Sequence, residues 1–108
     1  MPNATYPHAL ARALTQSNSP YVIDVRRQPA FEASDGMIPE SEWRDPEHLA
    51  EWITTLDAQR SIVLYCVHGM EVSQNCAALL EAVGFDATYL VGGYAAWVAG
   101  AHPTKPKP

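Results

Sequence analysis

Three short, almost uninterrupted apolar runs, "YVIDV" (21–25), "SIVLY" (61–65) and "ATYL" (87–90), constrain this chain most. Each is β-rich, bounded by turn residues and too short to be a helix, so each reads as a buried strand. The stretches between them carry helical period instead. Leu10, Ala13 and Leu14 predict a helix over 8–17, ended by "SNSP". A short helical turn is expected at 29–33. Asp45 caps a helix with Pro46 at its first position that runs through "EHLAEWITTL" to Leu56. Residues 72–83 form another, with Val72, Cys76, Leu79, Leu80 and Val83 inward and Gly84 as its stop. A last helix covers 94–99. Strands with no polar face that alternate with helices imply an α/β fold: a parallel sheet covered on both faces.

"SDGMIPES" (34–41) reads as loop and Ser41 to Arg44 as a brief edge strand. At 108 residues there is room for one core, assigned to 1–100. The proline-rich end "AHPTKPKP" (101–108) is expected to be a disordered tail. No internal repeat is visible.

Composition narrows the function. The chain is 47% hydrophobic and 18% charged, a globular balance, with a net charge of −5. No lysine or arginine occurs between Arg60 and Lys105, so there is no basic stripe for nucleic acid. No apolar run is long enough to span a bilayer, and "MPNATYPHAL" lacks the features of a secretory signal. A soluble, cytoplasmic protein is expected, with nothing to force dimerisation and hence a monomer. Nine residues separate the two cysteines, and neither a disulfide framework nor a zinc spacing follows. No cofactor or metal is implied.

In parallel sheets ligands bind beyond the carboxyl ends of the strands. Arg26 and Arg27, Arg44, Cys66, and Gly92 with Gly93 all follow strand ends here, so one rim collects them. Cys66 stands between a strand and a helix start. There its thiol meets unpaired backbone N–H groups and the positive end of the helix dipole, a setting that favours thiolate. Gly69 lets the loop fold tightly and turn its amides inward. Cys66 is then either a nucleophile in an anion cradle or a small hydrophobe that ends a strand. Cys76 falls on an apolar helix face and reads as core. His68 either orients a substrate or bonds to the loop backbone. Trp43, Trp52 and Trp97 read as packing residues.

Three segments, in order over about residues 20–99, together resemble the single-domain rhodanese-like sulfurtransferases. "IDVRRQPAFEASDGMIPES" is similar to the family's D-V-R…F…G-H-I-P-G-A stretch. "YCVHGMEVS" is similar to its cysteine loop, and "YLVGGYAAW" to its G-G-x-x-x-W signature. The resemblance implies a three-layer fold with a parallel five-stranded sheet flanked by helices. It also implies a persulfide mechanism on Cys66. The thiolate attacks the outer sulfur of a small anionic donor such as thiosulfate, and sulfite leaves. The loop Val67, His68, Gly69, Met70, Glu71, Val72 holds the product, and a thiol or protein cysteine accepts the sulfur. Asp24, Arg26, Gly92 and Gly93 are implied as support.

Departures from the pattern matter. Met37 replaces a usual histidine and Glu40 a frequent glycine. No basic residue follows Cys66 in the loop; Met70, Glu71, Val72 and Ser73 stand there. Glu71 either opposes a dianionic donor or points outward and favours the helix start. Two unit charges about 4 Å apart interact by about 1 kcal/mol in water and about 4 kcal/mol at an effective dielectric near 20. Arg44 or Arg27 could supply the missing positive charge. Phosphatase or arsenate-reductase chemistry of the C-x5-R type is disfavoured, because Val72 stands six residues after Cys66. A low-turnover sulfur-relay or protein-binding module is the remaining alternative.

Overall fold

The computed structural model describes residues 3–108; the first two residues of the expected 1–100 domain lie outside that range. Five strands form one parallel sheet: β1 (Asn3–Thr5), β2 (Tyr21–Asp24), β4 (Glu42–Trp43), β5 (Ile62–Tyr65) and β6 (Ala87–Leu90), in the order β1-β6-β5-β2-β4. The register sets Asp24 beside both Tyr65 and Trp43, and Leu64 beside Tyr89. The strands therefore end together on one rim. The helices are α1 (Pro7–Ala13), α2 (Gln28–Ala33), α3 (Leu49–Trp52), α4 (Glu71–Ala82) and α5 (Gly93–Ala99).

Alternate residues of each strand feed opposite cores, which is why the strands read as unbroken apolar runs. Ile23, Ile62 and Leu64 pack with Trp52, Cys76 and Leu80 from α3 and α4. Val22, Val63 and Leu90 pack with Leu10 of α1 and Trp97 of α5. The sheet is thus covered on both faces, as expected. No helix among the described residues is long and apolar enough to cross a membrane.

Four local expectations change. The first helix stops at Ala13, not Ser17: the Thr15 hydroxyl donates to the Arg12 carbonyl at 2.7 Å and Thr15 N–H bonds to the same oxygen, closing a turn. Asp45 does cap its segment, accepting from Glu47 N–H at 3.0 Å. The segment nevertheless splits into a 3-10 turn (Pro46–His48), α3, and a second 3-10 turn (Ile53–Thr55). Ile53, Thr54 and Thr55 are β-branched, and the two threonine hydroxyls bond back to the carbonyls of Glu51 and Trp52.

The inner stripe of α4 is Ser73, Cys76, Ala77 and Leu80. Leu79 and Val83, expected inward, are 55% and 63% exposed. The small side chains of Ser73 and Ala77 face the sheet, and that rotation turns 79 and 83 outward.

The tail is ordered. Lys105–Pro106 (β7) pairs antiparallel with Gly36–Met37 (β3), within the segment expected to be loop. Trp97 Nε1 donates to the Pro103 carbonyl at 2.7 Å, Lys105 Nζ to Ser41 O at 2.9 Å, and Lys107 Nζ to Phe31 O at 2.6 Å. Buried indole and backbone groups need partners, and the tail supplies or satisfies them.

Candidate active site

Cys66 is the first residue beyond β5, the central strand, and is 6% exposed. The chain then turns into α4 through Val67–Met70. The start of α5 holds this turn from behind: Tyr94 N–H donates to Cys66 O and Ala95 N–H to Val67 O, both at 2.9 Å. On the other side Gln74 Nε2 donates to Gly69 O at 2.9 Å. The turn's carbonyls at Cys66, Val67 and Gly69 are thereby occupied. Its amides are not. Among the described residues no backbone N–H from Val67 through Ser73 donates to a protein acceptor. Part of that follows from helix geometry, since the first turn of α4 has no earlier carbonyls to reach.

Two glycines permit the close packing. Gly69 has φ +69°, and a Cβ there would lie 2.5 Å from Leu90 O and 2.7 Å from Gly92 N. Gly93 has φ +61°, and a Cβ there would strike the Cys66 carbonyl oxygen. The "GG" pair, Gly92 and Gly93, therefore acts as a floor under the loop.

A pocket of about 330 Å³ opens above the sulfur. Val67, His68, Met70, Glu71, Val72 and Arg27 line it, together with Arg26 and Ala30. His68 is exposed and makes no hydrogen bond to the loop backbone among the described residues, so it faces the mouth. Arg27 and Glu71 pair at 3.7 Å and are 59% and 77% exposed. Glu71 is thus the first residue of α4, points outward, and is partly neutralised.

Arg44 is a correction. It follows the edge strand on the same rim, but its guanidinium turns back along the sheet. It donates to the Tyr21 hydroxyl at 3.1 Å and to Thr55 Oγ1 at 3.3 Å, and it lines a different pocket from that of Cys66. Tyr21 lies at the opposite end of β2, and a long side chain at an edge can reach it.

Asp24 and Arg26 form a buried pair, 0% and 1% exposed. Arg26 Nη2 bonds to Asp24 Oδ2 at 2.6 Å and to Gly36 O at 3.0 Å. The rings of Tyr94, Phe31 and Tyr65 lie 4.6, 5.5 and 5.7 Å from its guanidinium carbon. Burial opposes the charge, but Asp24, helped by Tyr65 and Tyr94, outweighs it and holds the guanidinium's pKa above its ordinary value. The pair ties the end of β2 to the 31–41 segment. The Tyr65 hydroxyl extends this brace, accepting from Ile38 N–H at 3.2 Å and lying 2.9 Å from Ser41 Oγ.

Ser73 is the residue that the sequence reading passed over. The Cys66 thiol donates to Ser73 Oγ at 3.1 Å, and Ser73 is fully buried. The signal lay in the 73–77–80 spacing, which sets a serine on an inward stripe. Cys76 sits on that stripe too, and burial pushes its thiol up to about 11, with a smaller contribution from Cys66.

The sequence profile described as "Rhodanese-like domain" matches residues 7–100. The chain belongs to the rhodanese-like family. It is 36% identical over 85 residues to a "Thiosulfate sulfurtransferase GlpE" of Shewanella oneidensis, covering 78% of this chain and 81% of that protein. It is also 33% identical over 99 residues to the "Putative sulfurtransferase YtwF" of Bacillus subtilis, covering 92% and 90%. A rhodanese-related protein from Thermoplasma volcanium superposes with a TM-score of 0.85 at 22% identity, covering 97% of this chain and 99% of that one. A rhodanese-like domain protein from Staphylococcus aureus gives 0.83 at 24%, covering 98% and 99%. These two structures bear on the fold alone. With the family, the protein is a rhodanese-type transferase, and a sulfur donor and a sulfur acceptor follow as its general partners.

Proposed function

We propose that this rhodanese moves a sulfane sulfur from thiosulfate or a persulfide donor to a thiol acceptor through a persulfide on Cys66. The observation that carries the reading is the run of unpartnered amides from Val67 to Ser73 beside a recessed sulfur. N–H groups left without a protein acceptor beside a sulfur favour an anion there. The Cys66 thiolate attacks the outer sulfur of thiosulfate, the S–S bond of the donor breaks, and sulfite leaves with the electron pair. The new terminal sulfur bears the negative charge, and the amides hold it as an oxyanion hole holds oxygen. An acceptor then bonds to that sulfur and returns the electron pair to Cys66. Relatives that bear the name thiosulfate sulfurtransferase support the choice of donor. Monomeric action in the cytoplasm belongs to the same proposal.

Mass spectrometry after incubation with thiosulfate tests it. The protein is expected to gain one sulfur atom on Cys66, and Cys66→Ser is expected to gain none. No gain from thiosulfate or from a persulfide donor, with Cys66 reduced, would reject it.

A low-turnover relay that takes sulfur from a partner protein is the second reading. Glu71 at the mouth favours it, because a carboxylate repels a free dianion more than a neutral or cationic protein segment. Loading by a persulfide donor but not by thiosulfate is its signature.

A further inference from the structure

We infer that the Ser73 hydroxyl is a catalytic group of the second half-reaction, where it stabilises Cys66 Sγ as the leaving thiolate. The inference rests on the persulfide reading above and adds to it a residue and a step.

Ser73 is the third residue of α4 and is 0% exposed. Its neighbours on the inward stripe are Cys76, Ala77 and Leu80. A hydroxyl there must find a partner or leave a buried polar group unsatisfied. A helical serine often uses the carbonyl four residues back. Here that is Gly69 O, which already accepts from Gln74 Nε2. Among the described residues the one hydrogen bond of the Ser73 hydroxyl is to Cys66 Sγ.

In the resting protein the thiol donates and Ser73 Oγ accepts. A serine hydroxyl can do either. Once the sulfur has lost its proton it has only lone pairs to offer, so the hydroxyl must rotate and donate. A bond to an ionised acceptor is shorter and about twice as strong as a neutral one.

The charge on Sγ differs between the two halves. In loading, Sγ begins as thiolate and ends as a neutral sulfur with one single bond to Cβ and one to the outer sulfur, its charge passed to the outer atom and then held by the loop amides. Ser73 stabilises the starting thiolate. That raises its population and lowers its nucleophilicity, and the two effects oppose one another, since nucleophilicity falls with basicity with a slope of about 0.4–0.5. In discharge, cyanide carbon bonds to the outer sulfur, the S–S bond breaks, its electron pair returns to Sγ, and thiocyanate departs. Charge now develops on Sγ beside a waiting donor. A better-stabilised leaving thiolate departs faster, with nothing to offset it. The amides and Ser73 therefore serve different sulfur atoms: the amides the outer one, Ser73 the inner one.

Single-turnover kinetics of Ser73→Ala test this, each half timed apart: loading with thiosulfate, then removal of the donor, then discharge with cyanide or with dithiothreitol. Discharge is expected to slow by about tenfold, the size of one lost charge-assisted bond. Loading is expected to change by less than about threefold. The discharge effect should be equal for the two acceptors, because Sγ leaves in both. Discharge at the parent rate, or equal slowing of loading and discharge, would overturn the role of Ser73 alone. Slowing confined to the bulkier dithiothreitol would also overturn it, by pointing to a changed pocket. A parent protein that takes up no sulfur at all would instead overturn the persulfide reading, and this role with it.

Discussion

Glu71 Oε1 lies 3.7 Å from Arg27 Nη2 at the mouth of the Cys66 pocket. The two charges approach a donor from the same side and largely cancel. Both side chains are well exposed, so water and salt weaken each of them. Glu71→Gln should therefore raise kcat/KM for thiosulfate by about fivefold or less, the high-dielectric limit for one unit charge. Arg27→Ala should lower it by a similar factor. Both effects should act on KM and shrink as ionic strength rises. Steady-state assays at low and high salt measure this.

Asp24→Asn should unfold the protein far more easily than most single changes. It leaves the Arg26 guanidinium buried among Tyr94, Phe31 and Tyr65 with its counter-charge gone. Breaking such a pair from one side costs about 3–5 kcal/mol. Urea denaturation of the variant against the parent reads that loss directly.

Cys76 predicts an alkaline limb in stability. Its thiol titrates near 9.0 when free and is pushed up to about 11 by burial. Between those values the unfolded chain releases the proton and the folded chain keeps it, so stability falls as pH rises. The stability is fully present well below pH 9, and the loss reaches about 2 kcal/mol by pH 11. Cys76→Ala should flatten the slope from pH 9 upward. Tyr65 and Tyr94 are also raised by burial and add a steeper fall above the ordinary tyrosine range in both proteins. Denaturation series across pH for parent and variant isolate the cysteine.

Glu40 has φ +64°, left-handed backbone that a residue with a Cβ adopts at a cost. The glycine frequent at this place in the family fits that geometry. Glu40 is exposed, so Glu40→Gly removes strain and little else. The expected gain is about 0.5–1 kcal/mol after the glycine's own entropy is counted. A rise in Tm with unchanged sulfur transfer would bear this out; a fall would mean that Glu40 has a stabilising contact in solution.

What could be read from the residues depended on how local the cause was. The strands at 21–25, 61–65 and 87–90 were plain because both of their faces are buried. β1 was not, since "NAT" is a short, polar edge strand defined only by its pairing with β6. Cys66 and its glycines were legible because a strand end, a turn and a helix start are all local features. The side chain of Arg44 was not, as its partners Tyr21 and Thr55 come from distant parts of the chain. Ser73 was hidden by the apolar residues at 72, 79 and 83, whose period suggested a rotated helix. The tail looked disordered because its partners, among them the carbonyls of Phe31 and Ser41, are remote in sequence.

Because β5 lies in the middle of the five strands, with two neighbours on either side, the backbone at Cys66 cannot fray from an edge. Its opening requires the sheet to come apart. A reagent too large for the pocket would thus reach that sulfur only as often as the entire molecule unfolds, and hydrogen exchange along β5 sets the clock for such attack.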